Sequence, residues 1–214
     1  MKRISKARCA AAATPVTRPQ GLFTRQQGAS LVVSLLMLVA TLLLGISAAQ
    51  IALQGEKSSR NDRDRQIAFQ AAEAGLMDAE MDIEKSGDAN SRSHIFAPDS
   101  QEGFVNGCGT GIYLGLCSGS ERGALPVWKT VGLETADAKT VPYGHFTGQV
   151  YETGKGSLPS RRPRYIIELM AYNKEGEGAS LGDLTYFYRV TAIGFGTRDT
   201  TQVLLQTFYR KDGM

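Results

Sequence analysis

The sequence predicts an α+β protein in which one long N-terminal helix packs on a C-terminal antiparallel β-sheet. Three observations carry this. Thirty residues, positions 26 to 55, contain no ionisable side chain. Beyond them Phe69, Ala72, Leu76, Ala79 and Ile83 recur at intervals of three and four, the seam of an amphipathic helix. The last third of the chain holds three runs rich in β-branched and aromatic residues, RYIIELMAY at 164–172, TYFYRVTAIGF at 185–195 and TQVLLQTFYR at 201–210.

Before the helix, positions 1–28 carry Lys2, Arg3, Lys6, Arg8, Arg18 and Arg25 and no acid. With Pro15, Pro19 and no apolar stripe, they read as an unfolded, disposable leader. The chain has 214 residues, is 42% hydrophobic and 21% charged, and has a net charge of +3. These values exclude a polytopic membrane protein, a collagen-like fibre and a wholly disordered chain. Outside the leader, acids outnumber bases, so the basic character speaks for membrane topology rather than for a nucleic-acid partner. A helix needs about 20 apolar residues to cross a bilayer, and this run is long enough. Lys and Arg before it and none within it place the N-terminus in the cytoplasm and the remainder across the membrane. A cleaved secretory signal is the competing reading, with small residues at Ser47-Ala48-Ala49 and a start at Gln50. The apolar stretch 29–46 exceeds the usual 7–15 residues of such signals, and a discarded signal needs no helical seam after it.

No proline interrupts the chain between Pro19 and Pro98, so one helix is expected from Ser30 to Lys85, about 80 Å at 1.5 Å per residue. Gly45, Gly55 and Gly75 are the points where it can bend. Asp64, Arg65, Glu73, Asp78, Glu80, Asp82 and Glu84 are expected on its wetter faces, and Ser86-Gly87-Asp88 as its stop. The chain thus divides into a leader (1–28), a membrane-spanning half of the helix (29–55), an amphipathic half (56–86) and an outer globular domain (87–214).

Within that domain, 87–144 reads mainly as loop, with seven glycines from Gly103 to Gly123 and one short strand at 127–133. Cys108 and Cys117 lie there, and outside the cytoplasm two such thiols usually pair, the alternative being two free buried thiols. Cys9 belongs to the leader. A short strand is expected at 146–151, then the three long ones. The turn Gly196-Thr197-Arg198-Asp199 suits a hairpin, and consecutive strands with short links imply an antiparallel meander covered by the lower half of the helix. In the last strand Val203, Leu205 and Tyr209 share a face opposite Gln202, Gln206 and Arg210.

Catalytic chemistry is not legible. His94 and His145 are the only histidines, and neither has a partner at metal-ligand spacing, so no metal or cofactor is expected. Cys108 and Cys117 are too far apart for a redox CxxC. In Gly154-Lys155-Gly156-Ser157, Gln149 stands where a phosphate loop needs its first glycine. Gly194-Phe195-Gly196 lacks the third glycine of a dinucleotide motif. The acids at 78, 80, 82 and 84 read as a solvated face rather than a calcium ladder. Arg161-Arg162-Pro163-Arg164 is a small basic cluster of low charge density, and a solvated loop is the simpler reading than a DNA contact.

Two segments carry a resemblance. RQQGASLVV at 25–33 looks like a type IV prepilin processing site, and DRDRQIAFQAAEAGLMDAE at 62–80 closely resembles the N-terminal segment of PilX-type minor pilins. YRVTAIGFG and TQVLLQTFY resemble the end of these proteins. The resemblance implies a pilin-like fold, cleavage between Gly28 and Ala29 by a prepilin peptidase, and N-methylation of Ala29. It further implies a non-catalytic role beside other minor pilins and the major pilin, with a tip adhesin as a further partner. Such a subunit waits in the inner membrane and then enters a pilus on the cell surface, supporting twitching motility or adhesion. One position departs from the family pattern: most pilins have Glu at the fifth mature position, and Val33 stands there. A priming or tip role is therefore expected, the alternative being that Val33 is simply one more lipid-facing residue. A minor pseudopilin of type II secretion and a non-polymerising membrane-anchored binding domain are the alternatives.

Overall fold

The computed structural model describes residues 29–84, 88–97, 100–121, 123–135, 139–172 and 185–211. The leader with Cys9 and Gly28, and the expected stop at Ser86 and Gly87, lie outside the described residues. The chain divides into two units, Met1–Ala52 and Leu53–Met214.

The long helix α1 runs Ala29–Glu84, 56 residues without interruption. In the first unit its described residues are exposed at every position. In the second unit one face is buried, made of Asp64, Ala68, Ala71, Ala72, Gly75, Asp78, Ala79, Asp82 and Ile83. The expected seam is thus rotated. Ala72, Ala79 and Ile83 are buried as anticipated, but Phe69 is 43% exposed. The cause is close approach to the sheet, which leaves room only for small side chains: a Cβ on Gly75 would stand 3.2 Å from that of Ala192 and 3.3 Å from that of Pro163.

The sheet has five strands, β1 (Leu116–Ser118), β2 (Val141–Pro142), β3 (Arg164–Tyr172), β4 (Thr185–Phe195) and β5 (Gln202–Tyr209). Its order is β1-β3-β4-β5, with β2 also paired to β3. The β3–β4–β5 meander is antiparallel, with Ile167 opposite Val190 and Ala192 opposite Leu205. The expectation of a purely antiparallel sheet needs one correction: β1 runs parallel to β3, Leu116 opposite Ile167. The stretch between β1 and β3, which includes α2 and β2, supplies the long connection that a parallel neighbour requires.

Two expected strands are absent. The 127–133 run begins with a helical turn, α2 (Val127–Thr130), because Pro126 has the fixed φ of a helix start and leaves its carbonyl free to accept from Lys129 N at 2.9 Å. The 146–151 run is turn and loop. Gly144 and Gly148 have positive φ, and Gly148 N donates to Gly144 O, closing a turn where a ladder was anticipated.

Two apolar clusters cover the two faces of the sheet. Toward α1 lie Ala79, Ile83, Phe96, Leu116, Tyr165, Ile167, Tyr188, Val190 and Ala192. On the opposite face Val127, Val131 and Leu133 pack with Ile166, Ile193, Phe195 and the Cys108–Cys117 pair. The 127–133 stretch is therefore a second cover for the sheet. That explains why β3 reads as a nearly continuous apolar run: it is buried on both sides.

Candidate functional site: the exposed half of the helix and the domain that carries its continuation

From Ala29 to Ala52, α1 presents large apolar side chains in every direction. Leu31, Leu36, Met37, Leu43, Leu44 and Ile51 are all more than half exposed. Its few polar side chains are satisfied inside the helix. Ser34 Oγ donates to Leu31 O (2.9 Å), Thr41 Oγ1 to Leu38 O (2.9 Å) and Ser47 Oγ to Leu43 O (2.8 Å). An isolated hydroxyl costs several kcal/mol in hydrocarbon, and back-bonding removes that cost. The segment is long and apolar enough to cross a membrane, and is a candidate membrane anchor. Ala29 is its first described residue. Val33 lies in its second turn and is 55% exposed.

Further along α1, three acids expected on wet faces are buried, and each grips a different part of the outer domain. Asp64 accepts from Thr197 N, from Thr197 Oγ1 (2.6 Å) and from Thr201 Oγ1, pinning the β4–β5 turn. Asp78 accepts from Gly144 N (2.8 Å) and from Thr147 Oγ1, holding the loop before β3. Asp82 takes Arg92 and, at 2.9 Å, the Tyr165 hydroxyl, tying the loop after the helix and β3 to one carboxylate. Burial alone would push the Asp64 carboxyl to titrate at higher pH, but the Thr197 and Thr201 hydrogen bonds outweigh it and hold the group below the ordinary aspartate value. At Asp78 burial dominates, aided by the Asp82 charge and only partly offset by Thr147 and Gly144, so the group titrates above that value. Burial, with Asp82 and Asp78 nearby, pushes the Tyr165 hydroxyl well above its usual range.

The spacing of these acids carries a signal that periodicity in apolar residues alone overlooks. Residues 64, 68, 71, 75, 78 and 82 follow the 3-4 rule, so Asp64, Asp78 and Asp82 belong to the same stripe as the alanines. Glu73, Glu80 and Glu84 are exposed as expected. Arg92 and the Glu168–Arg189 pair (2.7 Å) had no such signal.

The other candidates have structural partners. Cys108 and Cys117 form a disulfide that joins the cluster under α2. Arg161 pairs with Asp199 and lies 4.1 Å over the Phe195 ring, while Arg164 donates to the Thr140 hydroxyl and carbonyl. Gly194 serves close packing, not a nucleotide: a Cβ there would penetrate the α1 backbone at Ala68 O and Ala72 N. The 154–157 stretch is an exposed loop, and His94 and His145 are exposed. Among the described residues no cluster of three or more metal-ligating side chains exists.

A helix bare along its first half and packed by a small-residue face against a sheet along its second defines a pilin-like α+β subunit. The family model described as "Type IV pilus assembly protein PilX C-term" matches residues 84–211, and "PilX N-terminal" matches residues 27–76. The chain therefore belongs to the PilX family of type IV pilus assembly proteins. No curated protein and no solved structure matches it.

Proposed function

We propose that this chain is a minor pilin that primes type IV pilus assembly and sits at the pilus tip. The observation that carries the reading is the bare apolar helix 29–52, continuous with a helix anchored by three buried acids to the outer domain. In a bilayer such a surface is solvated by lipid. In a filament it packs on the helices of other pilins, so transfer between the two is not costly. The PilX match over most of the chain supports the pilus over a secretion pseudopilin or a non-polymerising anchored domain.

In this reading a prepilin peptidase cuts between Gly28 and Ala29, Ala29 is N-methylated, and the domain faces the periplasm before assembly. The segments 29–55, 56–86 and 87–214 then act as polymerisation half, amphipathic half and outer domain. Partners are the peptidase, the major pilin, other minor pilins and a tip adhesin, with twitching or adhesion as the outcome. A new N-terminal ammonium entering an apolar bundle needs a counter-charge. Val33 offers none to a subunit above it, which suits a subunit with nothing above it.

The test is the mass of the mature N-terminus from membranes and from sheared filaments, with and without the peptidase. A peptidase-dependent start at methylated Ala29 in both fractions is expected. A start at Met1 or Gln50 overturns the filament reading. Val33→Glu separately tests tip placement: an unchanged subunit order and unchanged assembly would remove that part of it.

A further inference from the structure

Three arginines line one hollow of about 470 Å³ in the outer unit: Arg60 and Arg63 from α1 and Arg198 from the β4–β5 turn. Gly156 and Ser157 close it from the 154–157 loop, and Asp64, Ile67 and Thr197 complete its wall. Lys155 lines the adjoining hollow, which shares Gly156 and Thr197. The acids nearby do not cancel this charge. Asp64 already accepts from Thr197 and Thr201, and its contact with Arg198 Nε is long, 3.7 Å. Glu56 pairs with Arg60, an exposed contact of a kind that contributes little. Asp62 and Asp199 line neighbouring hollows instead.

The donors are available. Arg63 and Lys155 make no hydrogen bond or ion pair among the described residues. Arg198 reaches only Asn61 at 3.3 Å and stays 60% exposed. The N–H groups of Gly156 and Ser157 meet no backbone carbonyl among the described residues. Planar guanidinium forks with free backbone N–H groups suit a tetrahedral oxyanion such as a phosphate.

The position selects the source of that phosphate. Gly55 ends the charge-free run, and Arg60 and Arg63 follow it by five and eight residues on the same helix. At 1.5 Å per residue these are steps of about 8 and 12 Å. Helix side chains lean toward the helix N-terminus, here toward the apolar run. Headgroups add on the order of 5–7 Å to each side of the hydrocarbon, so both arginines reach back to phosphate depth. The turn that supplies Arg198 stands at the end of the sheet away from Tyr172 and Thr185, where β3 ends and β4 begins.

We propose that this hollow binds the phosphate of an anionic phospholipid headgroup at the surface of the membrane that anchors the chain. The proposal rests on the span 29–52 lying in a bilayer, and not on the priming or tip role.

The experiment titrates the full-length chain in neutral detergent with phosphatidylglycerol, phosphatidylcholine and inorganic phosphate, and counts bound molecules by native mass spectrometry. One phosphatidylglycerol per chain is expected, held roughly tenfold more tightly than either other probe. Arg63→Gln is expected to remove roughly that tenfold. Arg65→Gln is expected to change nothing, because Arg65 has the same charge on the same helix and does not line the hollow. Arg63 is exposed and without partners, so its loss leaves the fold intact. Equal affinity for the two lipids overturns the proposal, as does equal weakening by the two variants. Inorganic phosphate bound as tightly as the lipid assigns the hollow to a free anion and overturns the lipid source. Absent lipid binding, with Arg63→Gln normal in membranes but depleted from sheared filaments, assigns it to an acidic group of a neighbouring subunit and also overturns the proposal. Wild-type chain missing from the membrane fraction fails the anchor reading, and the proposal with it. Chain present in membranes but indifferent to the anionic lipid fails the proposal alone.

Discussion

Asp82 and Arg92 meet in the interior with both side chains wholly buried. Arg92 Nη2 donates to Asp82 Oδ2 at 2.6 Å, and Nε donates to both carboxylate oxygens at 3.0 and 3.1 Å. The remaining guanidinium N–H groups do not go begging: Nη1 donates to Ile112 O (2.9 Å) and Leu114 O (2.6 Å), and the Phe146 ring lies 3.6 Å from the guanidinium carbon. One arginine thus joins the end of α1 to the Gly-rich loop and to the loop before β3. A buried pair of this kind is worth little against a well-packed apolar replacement, but breaking one half strands a charge.

Arg92→Met alone should therefore destabilise the protein by about 4 kcal/mol, and Asp82→Leu together with Arg92→Met by distinctly less. Thermal or urea unfolding of the full chain in detergent, with the double-mutant cycle closed, checks this.

Asp64 and Asp78 should give opposite pH dependence. The folded value of Asp64 lies below its unfolded value, so its contribution is present above the unfolded value, near pH 4, and is lost as pH falls through the folded value. The folded value of Asp78 lies above its unfolded value, so its contribution is present below about pH 4 and is lost as pH rises through the folded value. The stability gap between wild type and Asp64→Asn should shrink on acidification. The gap for Asp78→Asn should grow. Unfolding curves from pH 3 to pH 7, on the order of one point per half unit, read both signs.

Gly194→Ala adds one methyl at a position with ordinary φ, so any effect is steric. The methyl would enter the α1 backbone at Ala68 and Ala72, and a helix cannot yield there without lifting from the sheet. A loss of about 3 kcal/mol is expected, seen as depleted chain in membranes. Ala192→Gly, beside it on the same face, should cost only about 1 kcal/mol.

The disulfide closes a short ring, with a sequence separation of 9. Chain-entropy arguments give about 2.5 kcal/mol for such a loop. Cys108→Ser with Cys117→Ser should lower unfolding stability by about that amount and speed amide exchange in α2, which packs on the pair. Exchange in α1 between Ala68 and Ile83 should hardly change.

Periodicity shows in the sequence wherever one solvent covers one face. The helix was legible to within a residue of its observed bounds because a charge-free run and a polar continuation are both local patterns. The meander was legible for the same reason. The 127–133 piece was misjudged against a local signal, Pro126 at a helix start, and the 146–151 piece because its conformation is set by the grip of Asp78 on Gly144 and Thr147, a partner outside any local window.

By itself the sequence determined the continuous helix, its apolar half and the three long strands, since each follows from local composition. Tertiary structure alone decided that Asp64, Asp78 and Asp82 turn inward, that β1 joins the sheet in parallel, and that Cys108 and Cys117 are bonded. Burying a carboxylate is unfavourable until distant donors arrive to meet it, and no local pattern records where on the sheet those donors will stand.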